Sequence, residues 1–494
     1  MFNSRRGALL AAVCSAGLAC AAPAAAETLA EAIALAYDSN PTLQAQRATQ
    51  RALDESYVQA RSGYRPTLSA SVSGTYEELR TPVIDRDNNG VPDNITTAGI
   101  REGNAGSAGF NLTQPLYTGG RVAAATSAAH ADILTGRENL RRVEAQVLAN
   151  VITAYVDNRR DIEALRIRQE NVRVLNRQLD ESKARFDVGE ITRTDVAQSE
   201  ARLAAAQAQL SQAQAQLAIS RANYAAVVGQ NPGDLAPEPS LATLLPADVA
   251  QAFDVAETTS PQIRGAEYTE QASRARLAGA RAERMPSLAL RGSLGWNGQA
   301  DPLETEEYAR NIQGSAVLTI PLFTGGLTNS RVRAQIERNN ADRIGVETAR
   351  RTVLQGLTQS WSQLIAARAN IGSTDEQVRA ARIAAEGTRQ EQQVGLRTTL
   401  DVLNAEQELR GAELAQVSAR RDEYVAATNV LAQMGRLEAP NLTPAVTRYD
   451  PKNNFSKLRF TWGWVPWEEP IAIVDGVLTP KTVEKPTEAA PVAP

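Results

Sequence analysis

Gln114-Pro115-Leu116-Tyr117-Thr118-Gly119-Gly120 and Ile320-Pro321-Leu322-Phe323-Thr324-Gly325-Gly326 are two copies of one motif, 206 residues apart. The same offset relates Val188-Gly189 to Val394-Gly395 and Asp195-Val196 to Asp401-Val402. It also relates Tyr155 to Trp361 and Gly229 to Gly435, so the register holds over more than a hundred residues without a net gap. Upstream the offset becomes 220: Asn40-Pro41 matches Ser260-Pro261, and Arg65-Pro66-Thr67-Leu68 matches Met285-Pro286-Ser287-Leu288. The first copy therefore carries 14 extra residues between Pro66 and Pro115. The chain is an internal repeat, with a rigid part that keeps its length and a loop that does not.

Outward from each motif, the period of the apolar residues changes. Thr67 to Tyr76 alternates, with Leu68, Ala70, Val72 and Tyr76 on one face and Thr67, Ser69, Ser71, Ser73 and Thr75 on the other. Period two predicts a strand. Ala108, Phe110, Leu112 and Leu116 mark a second strand; Leu288, Leu290, Leu294 and Trp296 mark a third. Ile312, Ala316, Leu318, Ile320 and Leu322 mark a fourth. Each is expected to run about ten residues, enough to cross a bilayer when tilted. Tyr64, Tyr76, Tyr117, Trp296, Tyr308 and Phe323 stand near strand ends, as interfacial aromatic girdles do. Two amphipathic hairpins of a soluble sheet would show the same alternation.

Helical sequence lies on the other side. Leu29 to Arg61 reads as one helix, stopped before Gly63 and Pro66. Arg121 to Phe186 and Leu327 to Val394 contain no proline. At about 1.5 Å per residue each would span roughly 100 Å. After a break at Asp187–Arg193, Val196, Leu203, Leu210, Leu217 and Tyr224 recur every seven residues, with small residues at Ser199, Ala206, Ala213 and Ser220. That is a coiled-coil seam that allows close approach. In the second copy, Leu403, Val417, Tyr424 and Leu431 hold the seam and Arg410 interrupts it. The Leu29–Arg61 helix plus the post-break helix equals one long helix in length, so each repeat should form two parallel columns.

Composition narrows the function. The 494 residues carry a net charge of −4, two Cys, one His and 5% aromatics, with a mean hydropathy of −0.32. Length alone would suggest about three domains. An acidic balance argues against a nucleic-acid binder, and one His with two Cys cannot build a His/Cys zinc cluster. Arg5 and Arg6 precede an apolar stretch, Gly7 to Ala22, and Ala24-Ala25-Ala26 suits signal-peptide cleavage before Glu27. Both cysteines, Cys14 and Cys20, lie in this leader; Cys20 as a lipidation site is the alternative. No later apolar run has transmembrane-helix length. The expected division is leader 1–26, first repeat 27–240, second repeat 241–440 and a C-terminal extension 441–494, equatorial or disordered.

Four membrane-length strands cannot close a barrel alone, and open strand edges are not tolerated in lipid. A cyclic oligomer must complete it. At this point the chain resembles the TolC family of outer-membrane export ducts. The resemblance rests on the leader, the repeat, the Asn40-Pro41 junction, the two Pro-Leu-aromatic-Thr-Gly-Gly turns and the two Val-Gly/Thr-x-x-Asp-Val tips. It covers about residues 28 to 437. It implies an α+β membrane duct: a homotrimer whose 12-stranded transmembrane β-barrel takes four strands from each protomer and continues into a long periplasmic α-helical coiled-coil barrel. It also implies partners: a periplasmic adaptor (membrane fusion protein), an ABC or proton-driven inner-membrane transporter, and outer-membrane lipid. No catalytic constellation appears, so an enzyme is not expected.

The tips carry the expected function. Thr192 with Asp195, and Thr398 with Asp401, have helix N-cap and N3 spacing, which by itself is capping. The resemblance adds adaptor docking at Val188, Gly189, Glu190, Thr192, Val394, Gly395, Leu396 and Thr398. It makes Asp401 a gate carboxylate, three copies forming a cation-selective ring, and Arg397 a bridge to Thr194 and Asp195. Two departures stand out: Asn404 replaces a second gate aspartate, and Gln392 a tyrosine of the closing network.

Elsewhere, Asp85, Asp87, Asn89 and Asp93 have calcium-loop spacing with Gly90 at the turn, but Thr96 stands where a bidentate acid belongs. A polar loop of turn formers is the other reading. His130 reads as structural. Trp462, Trp464 and Trp467 crowd the C-terminal extension, and Lys481 to Pro494 reads as a disordered tail. The stretch after Pro440, with Tyr449-Asp450-Pro451, resembles secretion-type members. It favours type I protein secretion over small-molecule efflux, with a periplasmic coiled-coil adaptor as the reading from another class.

Overall fold

Two helices of 67 residues each, one in either repeat, occupy equivalent places in the two copies. The computed structural model describes residues 26–95, 99–299, 308–443 and 446–477, without the side chain of residue 459. The leader through residue 25, Thr96 and the tail Lys481–Pro494 lie outside these residues. In chain order the elements are α1 (Leu29–Ser39), α2 (Pro41–Arg61), β1 (Thr67–Thr81), β2 (Gly99–Tyr117), α3 (Arg121–Asp187), α4 (Arg193–Val228), α5 (Val249–Thr259) and α6 (Pro261–Ala282). They continue as β3 (Ser287–Gln299), β4 (Ala309–Thr319), α7 (Leu327–Gln393), α8 (Thr399–Gln433), α9 (Ala439–Leu442), α10 (Lys452–Lys457) and α11 (Glu468–Val477). Among the described residues, no helix is long and apolar enough to cross a membrane.

The single helix expected over Leu29–Arg61 is two. Asn40 is extended (φ −63°, ψ 122°) because the residue before a proline is pushed out of the helical region. The break makes a joint: Asn40 Nδ2 donates to Val227 O at 2.9 Å, at the end of α4. The second repeat builds the same joint, with Thr259 Oγ1 donating to Met434 O at 2.6 Å. The short helices thus meet end to end, as the length match required.

The chain divides into two units. The first holds residues 139–263 and 350–449 with the chain start through Arg47. Its core joins Ile33 and Tyr37 of α1, Leu148, Ile152 and Tyr155 of α3, Tyr224 of α4, Leu357 and Leu364 of α7, and Leu431 of α8. The small-residue seam of α4 is buried at Ser199, Leu203, Ala206, Leu217 and Ser220. Tyr155 donates to Ala236 O at 2.6 Å, and burial pushes its hydroxyl up to about 12.

The second unit holds residues 48–138, 264–349 and 450 onward. Its sheet is an antiparallel meander, β1-β2-β3-β4, with β1 and β4 as edges. The strands run 15, 19, 13 and 11 residues rather than about ten. The excess is in the first hairpin: β1 pairs with β2 out to Thr81↔Gly99, whereas β3 begins its pairing only at Ala105↔Gln299. β4 stops at Thr319, short of Ile320 and Leu322, because Pro321 has no N–H to donate to the ladder.

The C-terminal segment closes on this unit. Asp475 of α11 is fully buried. It accepts from the backbone N–H of Thr118 and of Gly120 at 2.9 Å each, from Thr118 Oγ1 at 2.8 Å and from Tyr64 Oη at 3.0 Å. A carboxylate thereby sits on the orphan donors where α3 begins. Glu468, also fully buried, takes Arg61 and Arg65. Tyr64 is therefore a core residue, 2% exposed, and no part of an aromatic girdle. His130 lies against Phe455, its ring centroid 6.0 Å away.

Candidate functional site

The two tips are built alike because their sequences are alike. Gly189 and Gly395 both adopt φ +81°, the left-handed conformation that reverses a helix end. At the first tip, Gly189 N donates to Phe186 O and Glu190 N to Arg185 O, both at 2.9 Å. At the second, Gly395 N donates to Gln392 O and Leu396 N to Glu391 O, again at 2.9 Å. The next helix starts three residues later with a capping box: Asp195 N donates to Thr192 Oγ1 and Thr192 N to Asp195 Oδ2 (3.4 and 3.0 Å), as Asp401 N does to Thr398 Oγ1 and Thr398 N to Asp401 Oδ2 (3.2 and 3.0 Å). The apolar tip residues Val188, Val394 and Leu396 are 72%, 70% and 76% exposed, a surface with no cover among the described residues.

Asp401 is half-buried on this tip. The Thr398 hydroxyl and backbone N–H, with the Arg397 charge nearby, hold its carboxyl below the usual carboxylate range. It is a fixed anion, the chemistry a cation-selective ring requires. Arg397 turns to its own tip: its Nε donates to Glu391 Oε2 at 2.8 Å. Asp195 takes its bonds from Thr192, so the expected bridge from Arg397 to Thr194 and Asp195 is not made within one chain. Gln392 is 3% exposed, and its Nε2 has no hydrogen-bond partner among the described residues.

The link between the tips that the chain does make was not expected from sequence. Arg202 of α4 donates from Nη2 to Asn404 Oδ1 at 3.0 Å and from Nη1 to Gln407, joining the first repeat to the second. Asn404 is thus a neutral acceptor for an arginine rather than a second acidic gate residue. Arg410, the seam interruption, explains itself: it bonds Glu413 Oε2 at 2.7 Å and, at 3.5 Å, Glu406, which is 3% exposed and also held by Arg389. A charge this buried persists only when paired. The sequence signal was present, acids at i−4 and i+3 from Arg410. Arg202 carried none, since it occupies a flank of the seam. Arg202, Arg410 and Arg168 line a cavity of about 250 Å³ between α3, α4 and α8.

The Asp85 loop does bring its carboxylates together. Those of Asp85, Asp87 and Asp93 lie within 4.8 Å of one another and could offer oxygens to a divalent cation. Each is also engaged inside the loop: Gly90 N donates to Asp85 at 2.9 Å, Arg86 N to Asp93 at 2.8 Å and Asn89 Nδ2 to Asp87 at 2.6 Å. Asn89 Oδ1 accepts from Val91 N at 2.8 Å, so it serves the turn. Thr96 lies outside the described residues.

A four-stranded meander with two open edges, joined to long helices that end in two capped tips, defines one protomer of an outer-membrane channel. The chain belongs to the outer membrane efflux protein family, whose model matches residues 32–230 and 253–436. It is 33% identical to outer membrane efflux protein BepC of Brucella suis biovar 1, over 94% of this chain and 97% of that one. It is 25% identical to outer membrane protein TolC of Escherichia coli, over 84% of each, and 25% identical to the alkaline protease secretion protein AprF of Pseudomonas aeruginosa, over 60% of this chain and 63% of that one. The Campylobacter jejuni CmeC outer membrane channel has the same fold: TM-score 0.70 at 16% identity, covering 87% of this chain and 89% of that one. The resemblance read from the sequence is borne out. The protein is an outer-membrane channel extending into the periplasm, its barrel shared by three chains.

Proposed function

We propose that the protein is the exit duct of a tripartite export system. It takes substrates from an inner-membrane transporter through a periplasmic adaptor and releases them outside. The observation that carries this is the pair of tips: two capped helix turns of equal geometry, each with exposed apolar residues and no cover among the described residues. Val188, Gly189, Glu190, Thr192, Val394, Gly395, Leu396 and Thr398 form the adaptor-docking surface in this reading. Asp401 forms the gate ring. Gln392, with its buried amide lacking a partner among the described residues, and Arg397 are the groups a neighbouring chain's Thr194 and Asp195 would complete on closure. Replacing Val188 and Val394 by Asp tests docking: in-cell cross-linking to a periplasmic adaptor should be lost while trimers still reach the outer membrane. Retained cross-linking would remove the tips as the docking surface.

Type I protein secretion is the use that the C-terminal stretch favours, and the likeness to an alkaline protease secretion protein supports it. Small-molecule efflux is the second reading, favoured by the 33% identical efflux protein, whose match covers 94% of the chain. Deleting the gene separates them. Loss of one exported protein from the medium, with unchanged sensitivity to dyes and detergents, selects secretion. Heightened sensitivity with an unchanged set of exported proteins selects efflux.

A further inference from the structure

The turn after β2 and the turn after β4 have the same sequence pattern and opposite surroundings. Thr118, Gly119 and Gly120 are buried, and Leu116 and Tyr117 are half-buried: Asp475 of the C-terminal segment bonds Thr118 and Gly120, and Gly119 packs against Met285 and Pro286. Their repeat equivalents are bare: Ile320, Leu322 and Phe323 are 53%, 93% and 89% exposed. A chain that repeats an apolar motif and covers only one copy leaves the other for something outside itself.

The sheet says what arrives there. β4 is an edge, and barrel closure pairs it antiparallel with β1 of the next copy. Within the chain, β3 starts where β4 ends, Ser287↔Thr319. The closure repeats the β2–β3 junction, where Thr113 pairs with Arg291 and Tyr117 with Leu288, so Thr319 must meet Ser71 of the next copy's β1 and Phe323 its Leu68, at the start of that strand. That start is where the C-terminal segment is fastened. Glu468 holds Arg61 and Arg65, Asp475 holds Tyr64, and a Cβ on Gly463 would stand 3.8 Å from Arg65. Beside Gly463, Trp462 is 100% exposed.

We propose that residues 450–477 form an interprotomer strap. Anchored on its own chain by Glu468 and Asp475, the strap presents Trp462 to the second turn of the adjacent copy and covers Leu322 and Phe323. Three copies make three such contacts around the ring, each pairing different surfaces of the two chains. The partner is a second copy rather than lipid because both bare surfaces lie at the one junction that closure brings together.

Disulfide capture in assembled trimers tests this. The only cysteines in the sequence, Cys14 and Cys20, precede Glu27. Two differently tagged chains, one W462C and one F323C, are co-expressed, purified as trimers and oxidised. The expected result is a reducible band carrying both tags; the pair W464C and L322C serves as a second placement should the first chains fail to assemble. Absence of that band from folded trimers of both pairs overturns the proposal. Labelling of W462C by a membrane-confined maleimide would then assign the surface to lipid, and labelling by a charged maleimide to solvent.

Discussion

The two Pro-Leu-aromatic-Thr-Gly-Gly turns began as copies and now live in different environments. At the first, Gly119 (φ +72°) is pressed against its surroundings: an added Cβ would stand 2.7 Å from Met285 Cβ and 3.1 Å from Pro286 O. At the second, Gly325 (φ +61°) has nothing within 4 Å inside the chain. The tips show the contrast from the other side, since both copies keep the same φ, the same helix-end bonds and the same capping box. A local motif stays symmetric where it answers only to its own backbone. It diverges where a distant segment reaches it.

Breaking the cover of the first turn should have the largest effect. Asp475→Ala leaves the buried N–H groups of Thr118 and Gly120 and the Tyr64 hydroxyl without their acceptor, at a cost of about 4 kcal/mol. Trimer melting followed by heat-modifiable migration should shift down sharply; an unchanged midpoint would mean the strap does not stabilise the turn.

The glycines measure the same asymmetry more directly. Gly119→Ala adds steric overlap to left-handed strain, about 3 kcal/mol together, and Gly325→Ala adds strain alone, about 1 kcal/mol. Equal losses in the same melting assay would show that the neighbouring copy presses on Gly325 itself, beyond the cover that the strap gives Leu322 and Phe323.

Glu144 offers a pH test in the first unit. Burial raises its carboxyl above the ordinary range, while its repeat equivalent is Arg350. A raised pKa means that its stabilising protonated form is fully present below the unfolded pKa and is lost as pH rises through the folded one. Glu144→Gln should therefore raise the melting midpoint at neutral pH, and the gain should vanish in acid. A gain that persists in acid would assign the effect to packing.

The smallest effects on stability, and the most telling on function, belong at the tips. Asp195→Asn and Asp401→Asn remove matched caps and should perturb folding alike. Only the second should lower cation selectivity in planar bilayers. Because the pKa of Asp401 is depressed, selectivity should survive as pH falls through the ordinary carboxylate range and fail below it. Arg397→Ser should raise conductance; no change would set Arg397 outside the gate.

How much was legible follows from the range of each signal. Periodicity exposed the strands, the long helices and the seam of α4, because side-chain period is local. Capping at Thr192 and Thr398 was readable for the same reason. The helix break at Asn40 is carried by Pro41 alone, and the end of β4 by Pro321 alone, against an apolar period that runs on through both. Arg202 and the buried Glu406 were not readable as a pair of tip supports, since their roles depend on which helix faces which. Asp475 and Glu468 were hidden most completely: they lie about 350 and 400 residues from Thr118 and Arg65.

By itself the sequence determined the repeat, the four strands, the coiled-coil helices and the need for other copies. Each follows from backbone hydrogen bonding and apolar period, which are set within a few turns of chain. Only the tertiary structure decided which of two equal turns is sheltered, which carboxylates are buried and which arginine joins the tips. Those outcomes depend on burying charge beside distant donors, and a one-dimensional pattern does not record that energy.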